Sequence, residues 1–290
     1  MLMSKMSKVK KENNKSAAHE IAQGVYYMEV GKGINRSNIF FVRSGPSWVL
    51  IDAASVNCGR LIRKVAESLF GANTWPALIL LTHYHPDHAG SALELVRMWG
   101  CPVYVHPDEL PLAIAEDIPS FEKYANPLDR WIVLPLLRIM PRRRVESMLA
   151  GTSLKGVVQV FDPGASVPGL PDWEYIPTPG HTPGQIAFFR TSDRILITGD
   201  AIVTADINSF WGFLLWSLRI NQQRVSGPPW YSTWNKQLAK ESVVALAALE
   251  PSVLASGHGV PMQGGAIAQK LHVFANHYLV SSGKADKNAK

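Results

Sequence analysis

The stretch His83-Tyr84-His85-Pro86-Asp87-His88 places three imidazoles and a carboxylate within six consecutive residues. Only nine histidines occur in the 290-residue chain, so composition alone does not account for this density. An apolar run of strand length, residues 77–81, precedes the stretch, and apolar residues at helical spacing follow it over residues 89–99. The pattern predicts a strand, a turn rich in metal-binding side chains, and a helix.

This turn can supply donors to two neighbouring metal ions. His83 and His85 are two residues apart and point the same way if the segment is extended. Pro86 fixes its own backbone φ and bends the chain, so that Asp87 and His88 face another direction. The alternative, a solvated polar loop, does not explain why three of the nine histidines fall here.

Three more donors each follow a later strand-like segment and come directly after a glycine, at positions 180, 199 and 257. Glycine allows the close backbone approach that a metal pocket requires. Four donors on one turn cannot complete two coordination shells. We therefore expect three further residues to join the turn: His181, Asp200 and His258.

With these residues identified, the chain resembles the metallo-β-lactamase-fold hydrolases over residues 24–278. The resemblance rests on the H-x-H-x-D-H turn and on the later His, Asp and His in the family's order, and it points to the glyoxalase II and lactonase-like branch with a bridging aspartate. It implies an α/β fold with four layers, an αββα sandwich. It also implies that one ion is held by His83, His85 and His181, that the other is held by Asp87, His88 and His258, and that Asp200 bridges them.

Nitrogen and carboxylate donors without thiolate predict two zinc ions per chain, and iron or manganese also suit this donor set. Two ions about 3.5–4 Å apart can share a water and lower its pKa to about 7. The chain is therefore predicted to be a hydrolase in which a metal-bridging hydroxide attacks an ester, thioester or lactone carbonyl of a partly apolar small molecule. Asp87 and Asp200 are the predicted catalytic residues, because their second oxygens can orient this hydroxide.

Other residues near the ligands are candidates for supporting roles. Asp52 follows a strand-like run and resembles an aspartate that lies behind the metal loop in this family, although a simple turn role is the alternative. Thr82 and Thr178 lie close upstream of ligands and can offer hydroxyl groups, although threonine also ends strands without such a role. His106 precedes a predicted helix, and we expect it to be a structural or capping residue.

Length and composition fit a single domain over residues 21–280, flanked by a disordered basic tail over residues 1–20 and a flexible tail over residues 281–290. These tails contribute +3 and +2 to the net charge of +6, so no nucleic-acid-binding face is expected. The two cysteines and the lack of an apolar leader favour a cytoplasmic protein without a transmembrane segment. The sequence favours no particular oligomeric state.

Two stretches, residues 107–156 and 203–234, exceed the minimal family scheme and are expected to select the substrate. An arginine cluster in the first stretch suits a solvated face, an anionic substrate or a lipid headgroup: Arg138, Arg142, Arg143 and Arg144. For the aromatic residues of the second stretch three interpretations stay open: core packing, a hydrophobic wall beside the metals, or a shallow membrane contact. These residues are Phe210, Trp211, Phe213, Trp216, Trp230, Tyr231 and Trp234.

Departures from the family's known branches narrow the choice of substrate. True β-lactamases of this fold lack the bridging aspartate, and glyoxalase II enzymes carry a long C-terminal helical region, whereas only 32 residues follow His258 here. Similar lactonases place a tyrosine three residues after the bridging aspartate, where this chain has Val203. Two alternatives remain: a mononuclear iron enzyme similar to persulfide dioxygenases, and a nuclease of the same fold.

Overall fold

The computed structural model describes residues 18–115, 117–162, 164–220 and 223–281. Two sheets face each other across one core, which includes Phe40 and Ile51 of the first sheet and Phe188 and Ile197 of the second. Helices pack on the outer faces of both sheets through two further cores. The predicted αββα sandwich is confirmed.

The first sheet is largely buried on both faces, and its strands follow one another in sequence order. A tight turn at Gly45-Pro46 joins two of them, and Ser44 pairs with Ser47 across this hairpin. The first four strands pair antiparallel and the later pairs are parallel. The strands are β1 (His19–Ala22), β2 (Val25–Val30), β3 (Ser37–Ser44), β4 (Ser47–Ile51), β5 (Leu78–Leu80), β6 (Val103–Val105) and β7 (Val158–Val160).

The second sheet contains β8 (Trp173–Pro177), β9 (Ile186–Arg190), β10 (Ile195–Ile197), β13 (Val253–Ala255) and β14 (Met262–Gln263). Their order is β14-β13-β10-β9-β8. β10 runs parallel to β13, and β8 points the same way because both β8 and β10 pair antiparallel with β9. The carboxyl ends of these three strands therefore share one edge. A separate two-stranded sheet contains β11 (Val203–Ala205) and β12 (Gln223–Ser226).

Helices cover the two sheets and build the predicted insertions. They are α1 (Gly59–Phe70), α2 (Pro86–Ala89), α3 (Ala92–Trp99), α4 (Leu110–Ala113), α5 (Ile118–Glu122), α6 (Leu134–Ile139), α7 (Arg142–Thr152), α8 (Phe210–Ser217), α9 (Lys236–Ala247) and α10 (Ile267–Ser281). A π-helical turn, Asp129–Val133, leads into α6. Helices α1 and α3 pack on the first sheet and α9 and α10 on the second. Among the described residues, none of the helices combines the length and the apolar character needed to cross a bilayer.

The helix predicted within residues 89–99 is confirmed as α3, but it begins only at Ala92, because the structure separates it from the short α2. A Cβ atom on Gly90 would lie 2.4 Å from the carbonyl oxygen of Pro86 and 2.5 Å from the amide nitrogen of Val56. The chain therefore needs glycine where α2 passes against the segment that follows β4. Helix α1 is unbroken over Gly59–Phe70, with Ile62 and Val65 on its buried side.

The predicted tails lie mostly outside the described residues. The prediction of a tail over residues 1–20 is wrong at its last two residues, because His19 and Glu20 belong to β1. Glu20 pairs with Tyr26 in a hairpin, and its carboxylate accepts a hydrogen bond of 2.9 Å from the amide of Gly24. At the other end, Ser281 belongs to α10, so the C-terminal tail prediction begins one residue too early.

Candidate metal centre

The first four donors lie on the turn that connects β5 to the helices behind it. His83 is fully buried where the chain leaves the sheet. His85 has an extended backbone, with φ −93° and ψ 154°, and Pro86 then begins α2. Asp87 and His88 lie within this helix. The predicted change of direction at the proline is therefore a change from extended to helical backbone.

The three later donors follow β8, β10 and β13, whose carboxyl ends share one edge of the second sheet. The structure brings all seven predicted side chains together at this edge. They form three overlapping groups, and within each group the donor atoms lie within 4.8 Å of one another: His83, His85 and His181; His83, His88 and Asp200; and Asp87, His88 and His258. Their roles as metal ligands remain predictions.

The carboxylate of Asp200 lies between these groups. Its Oδ2 is 3.5 Å from Nε2 of His181 and 3.1 Å from Nε2 of His258. Its Oδ1 is 3.5 Å from Nε2 of His88. One oxygen thus faces histidines assigned to different ions, which is the position that a bridging ligand requires.

The donor set fits transition-metal ions. Nε2 of His83 and both ring nitrogens of His181 are buried and have no hydrogen bond among the described residues. A buried polar atom without a partner is costly, since it has lost water and gained nothing in exchange. Imidazole nitrogens and carboxylate oxygens are ligands of zinc and of iron. A bound metal would satisfy these atoms.

Glycines hold the backbone close to the donors. A Cβ atom on Gly257 would lie 2.2 Å from Oδ1 of Asp200 and 2.5 Å from Cε1 of His88. Gly199 has a positive φ of 52°, and a Cβ there would lie 2.8 Å from Oγ1 of Thr82. Gly257 therefore leaves room for the donors and Gly199 for Thr82 beside them, whereas Gly180 leaves room for the close approach of Ala239.

Asp52 supports the turn from behind, and the family-based expectation for it agrees with the structure. Its Oδ1 accepts a hydrogen bond of 2.8 Å from the amide of Thr82, and its Oδ2 lies 2.8 Å from Nδ1 of His88. The hydroxyl of Thr82 donates to Oδ2 of Asp52 at 2.9 Å and lies 3.0 Å from Nδ1 of His83. This hydroxyl has only one proton, and Asp52 accepts it. The oxygen of Thr82 therefore accepts a hydrogen bond from Nδ1–H of His83. Both imidazoles therefore direct Nε2 towards the site.

The structure also shows the hydrogen-bond partners of His258, Thr178 and His106. Nδ1 of His258 donates to the carbonyl oxygen of Arg36 at 2.7 Å, which again leaves Nε2 for the site. Of the two roles left open for Thr178, the ordinary structural one agrees with the structure, because its hydroxyl donates to the carbonyl of Gln185 at 3.2 Å. The structural role of His106 is confirmed, because its Nδ1 caps the turn at residues 107–109 by accepting from a backbone amide.

Sequence reasoning missed two buried residues that tie the loops together. The carboxylate of Glu109 accepts hydrogen bonds of 2.7 Å from the amides of Tyr84 and Gly184, so it links the first donor turn to the loop after His181. The amide group of Asn38 donates to two carbonyl oxygens that flank His258, at 2.8 and 2.6 Å. Neither residue belongs to a motif, and a single sequence offers no signal for either.

The pKa values of the clustered histidines shift in opposite directions. Burial lowers the pKa of His83 and His181 well below its usual value, and neighbouring imidazoles contribute. Burial opposes charge on His258 as well, but the carboxylates of Asp200 and Asp87 outweigh it and raise its pKa to about 10. Neutral imidazoles and ionised carboxylates are the forms that bind metal ions.

A cavity of about 870 Å³ opens beside the donors. This volume is within the range of sites for small organic ligands. Five of the predicted donors line it: His85, Asp87, His181, Asp200 and His258. Phe213, Trp216 and Tyr231 form part of its wall, and the ring of Trp216 lies 5.5 Å from that of His258. Of the three interpretations of the aromatic stretch, the wall beside the donors agrees with these contacts.

The chain is similar in sequence to known proteins. The family model described as Metallo-beta-lactamase superfamily matches residues 33–258. The chain is 36% identical to the Bacillus subtilis (strain 168) protein named Probable metallo-hydrolase YflN, over 90% of this chain and 93% of that protein.

Solved structures share the fold at lower identity. A metallo-beta-lactamase family protein from Thermus thermophilus, TTHA1429, aligns with a TM-score of 0.61 at 20% identity, covering 90% of this chain and 81% of that one. The protein TTHA1623, solved in a di-iron-bound form, aligns with a TM-score of 0.53 at 22% identity, covering 84% and 98%.

Proposed function

The chain belongs to the metallo-beta-lactamase superfamily and is a metal-dependent hydrolase, and from this premise we propose that it holds two metal ions and hydrolyses a partly apolar ester, thioester or lactone. The observation that carries the proposal is the convergence of seven donors into three overlapping groups. A single ion does not use so many. The proposed ligands are His83, His85, Asp87, His88, His181, Asp200 and His258.

Zinc is the proposed metal, since all the donors are nitrogen or carboxylate oxygen. Iron and manganese suit the same donors, and the di-iron form of TTHA1623 belongs to a protein of this fold. Ions in such a site act as Lewis acids that bring the pKa of water to about 7 and polarise a carbonyl group.

The chain's own residues orient this chemistry. Asp52 and Thr82 fix the tautomers of His88 and His83, so the Nε2 atoms face the site before any ion arrives. The carboxylates of Asp87 and Asp200 have two oxygens each. We propose that the oxygen that is not a ligand accepts a hydrogen bond from the attacking water and holds it in line with the substrate.

Tyr231 is the proposed substrate-orienting residue. It lines the same cavity as Asp87 and Asp200, and its hydroxyl has no hydrogen-bond partner among the described residues. Burial raises the pKa of this phenol, and the charges of the two aspartates raise it further, so the group keeps its proton. Lactonases of similar motif have a tyrosine where this chain has Val203, which is buried in β11. In this chain the hydroxyl of Tyr231, which belongs to a different segment from Val203, would donate a hydrogen bond to the substrate oxygen.

The cavity wall favours a substrate with an apolar portion. Leu112, Val133, Leu149, Ile207 and Phe213 line it, together with Trp216 and the aromatic residues at 230 and 231. Burial of apolar substrate groups against such a wall stabilises binding by roughly 25 cal/mol per Å². We propose a small molecule as the substrate and, from the cysteine content alone, a cytoplasmic location.

Metal content and a substrate panel test the proposal. Elemental analysis of the purified chain should give about two ions per chain, and the panel should include esters, thioesters, lactones, β-lactams and phosphodiesters. The variant Asp200→Ala should lose at least one ion and its turnover. Asp172→Ala, a change at an exposed aspartate, should keep the metal content and the turnover of the parent chain.

Two outcomes would replace the proposal. About one iron per chain, with consumption of oxygen, would favour the enzyme similar to persulfide dioxygenases. Hydrolysis of phosphodiesters alone would favour the nuclease. Full activity in Asp200→Ala would be incompatible with a bridging carboxylate.

A further inference from the structure

Helix α8 exposes apolar side chains although it also forms part of the cavity wall. Its eight residues include no charged side chain. Trp216 is buried and Phe213 lines the cavity, whereas Phe210, which also borders the cavity, and Trp211 are 75% and 69% exposed. A helix that is apolar all round is normally buried, so the outer side of α8 indicates a surface with a partner.

The segment 129–139 likewise has one side in contact with the cavity and the core and another side exposed. Val133 lines the cavity, and Leu134 and Leu137 are buried beneath the segment. Trp131 and Ile139 are 81% and 79% exposed. Ile132 and Leu136 are also exposed. Phe210 of α8 and Val133 of this segment line the same cavity, so the exposed residues of both elements lie around it. We call these exposed residues the apolar face: Trp131, Ile132, Leu136, Ile139, Phe210 and Trp211.

Positive charge lies next to the apolar face. Five arginines and two acidic residues occur between positions 129 and 146, a net charge of +3. Arg138 and Arg142 have exposed acidic partners, Glu122 and Glu146. Arg143 and Arg144 are exposed and have no ion pair within the part of the chain that the structure describes. A partner for this region should therefore present negative charge beside apolar groups.

We propose that the apolar face docks onto an anionic lipid bilayer. Tryptophan side chains favour the boundary between headgroups and acyl chains, and arginines beside them are attracted by anionic headgroups. This combination of exposed apolar and basic residues is typical of surfaces that lie in the membrane interface without crossing it.

A second copy of the chain fits the face less well. A two-fold contact is self-complementary, so it would place the arginine cluster of one copy near that of the other or leave it beside the contact. Like charges brought together oppose such an association. An anionic bilayer instead complements the whole cluster at once.

Docking in this way would place the mouth of the cavity at the lipid surface. If the proposed function holds, an ester or thioester with an acyl chain can pass from the bilayer into the cavity without crossing water. This consequence rests on the proposed function, whereas the docking itself does not. Lipid binding can therefore be measured without any substrate.

Vesicle co-sedimentation of the full chain tests the docking. The chain should sediment with vesicles of phosphatidylcholine and phosphatidylglycerol, and bind vesicles of phosphatidylcholine alone much less. Binding should weaken as salt rises, because salt screens the arginines. Failure to bind the anionic vesicles would overturn the proposal, whatever the hydrolase assays give.

Matched variants locate the binding surface. Arg143→Glu with Arg144→Glu should lower the affinity for anionic vesicles by about tenfold or more, whereas Arg60→Glu with Lys64→Glu, at exposed positions of α1, should change it little. Trp131→Ser with Trp211→Ser should also release the chain, and Trp75→Ser should not. All variants keep the lysines of residues 1–15, so those lysines cannot account for a difference between them.

Circular dichroism and elemental analysis should show that the variants remain folded and keep their metal. Equal vesicle binding by the face variants and the controls would overturn the proposal. A concentration-dependent dimer that the tryptophan changes abolish, without vesicle binding, would likewise overturn it and assign the face to a contact between copies.

Discussion

Oδ2 of Asp52 lies 2.8 Å from Nδ1 of His88, and both side chains are fully buried. The same carboxylate accepts hydrogen bonds from the amide and the hydroxyl of Thr82. Asp52 itself has a positive φ of 62°, a conformation uncommon outside glycine. The backbone thus adopts an unfavourable angle at the residue that holds two parts of the donor turn in place.

Replacement of Asp52 by Asn should weaken metal binding by about 10- to 100-fold, which is typical when a residue that orients a metal ligand is lost. The amide cannot accept from both Thr82 and His88 as the carboxylate does. Competition with a metal chelator would measure the affinity. Asp193→Asn, at a surface ion pair with Arg190, is the control and should retain normal affinity.

Gly257→Ala should reduce metal content and turnover together. The new Cβ would lie 2.2 Å from Oδ1 of Asp200, so the carboxylate or the backbone must move. Gly265→Ala is the matched control, because a Cβ at position 265 meets no atom within 4 Å. Elemental analysis and activity of both variants provide the test. A fully metallated and active Gly257→Ala variant would contradict the described packing.

Glu109→Gln should lower the free energy of unfolding by about 1–3 kcal/mol, because one of two buried amide donors loses its acceptor. These donors are the amides of Tyr84 and Gly184. Denaturant unfolding of the metal-free chain isolates the effect from metal binding. Glu174→Gln, at an exposed position of β8, should leave stability nearly unchanged. Equal stability of the two variants would show that Glu109 does not join the loops.

Removal of the metal should lower the melting temperature. Free metal at about 1,000 times its Kd adds about 4 kcal/mol to the stability of the folded state. Without metal, Nε2 of His83 and the nitrogens of His181 are left buried without hydrogen bonds. Calorimetry with and without a chelator measures the shift. The shift should be smaller in Asp200→Ala, and an unchanged melting temperature in the parent chain would argue against a buried metal site.

Tyr231→Phe should lower kcat/KM by about 10- to 100-fold, the effect of losing one hydrogen bond to a charged oxygen. Metal content should stay unchanged, because the phenol is not among the proposed ligands. Tyr124→Phe is the control, since Tyr124 lines the same cavity and packs against Trp234. Equal kinetics for both variants would remove Tyr231 from the proposed mechanism.

The local parts of the fold were predictable where a short-range pattern is sufficient. Helix α1 and the hairpin between β3 and β4 follow from apolar periodicity and from a glycine-proline turn. The division between α2 and α3 was not predictable, because the amide of Ala53 donates to the carbonyl of His88 and the amide of Ser91 donates to the carbonyl of Ala54, which are distant in sequence. The partner of Thr178 was likewise not predictable, because the tertiary structure brings the carbonyl of Gln185 beside its hydroxyl.

The sequence by itself determined which side chains are available as donors and that glycine precedes the later three, because chemistry and backbone freedom belong to single residues. Only the tertiary structure decided that β8, β10 and β13 end at one edge, where Asp200 lies between His181 and His258. Tertiary structure also decided the positions of Glu109 and Tyr231. Such positions result from many long-range packing contacts acting together, and no local pattern encodes them.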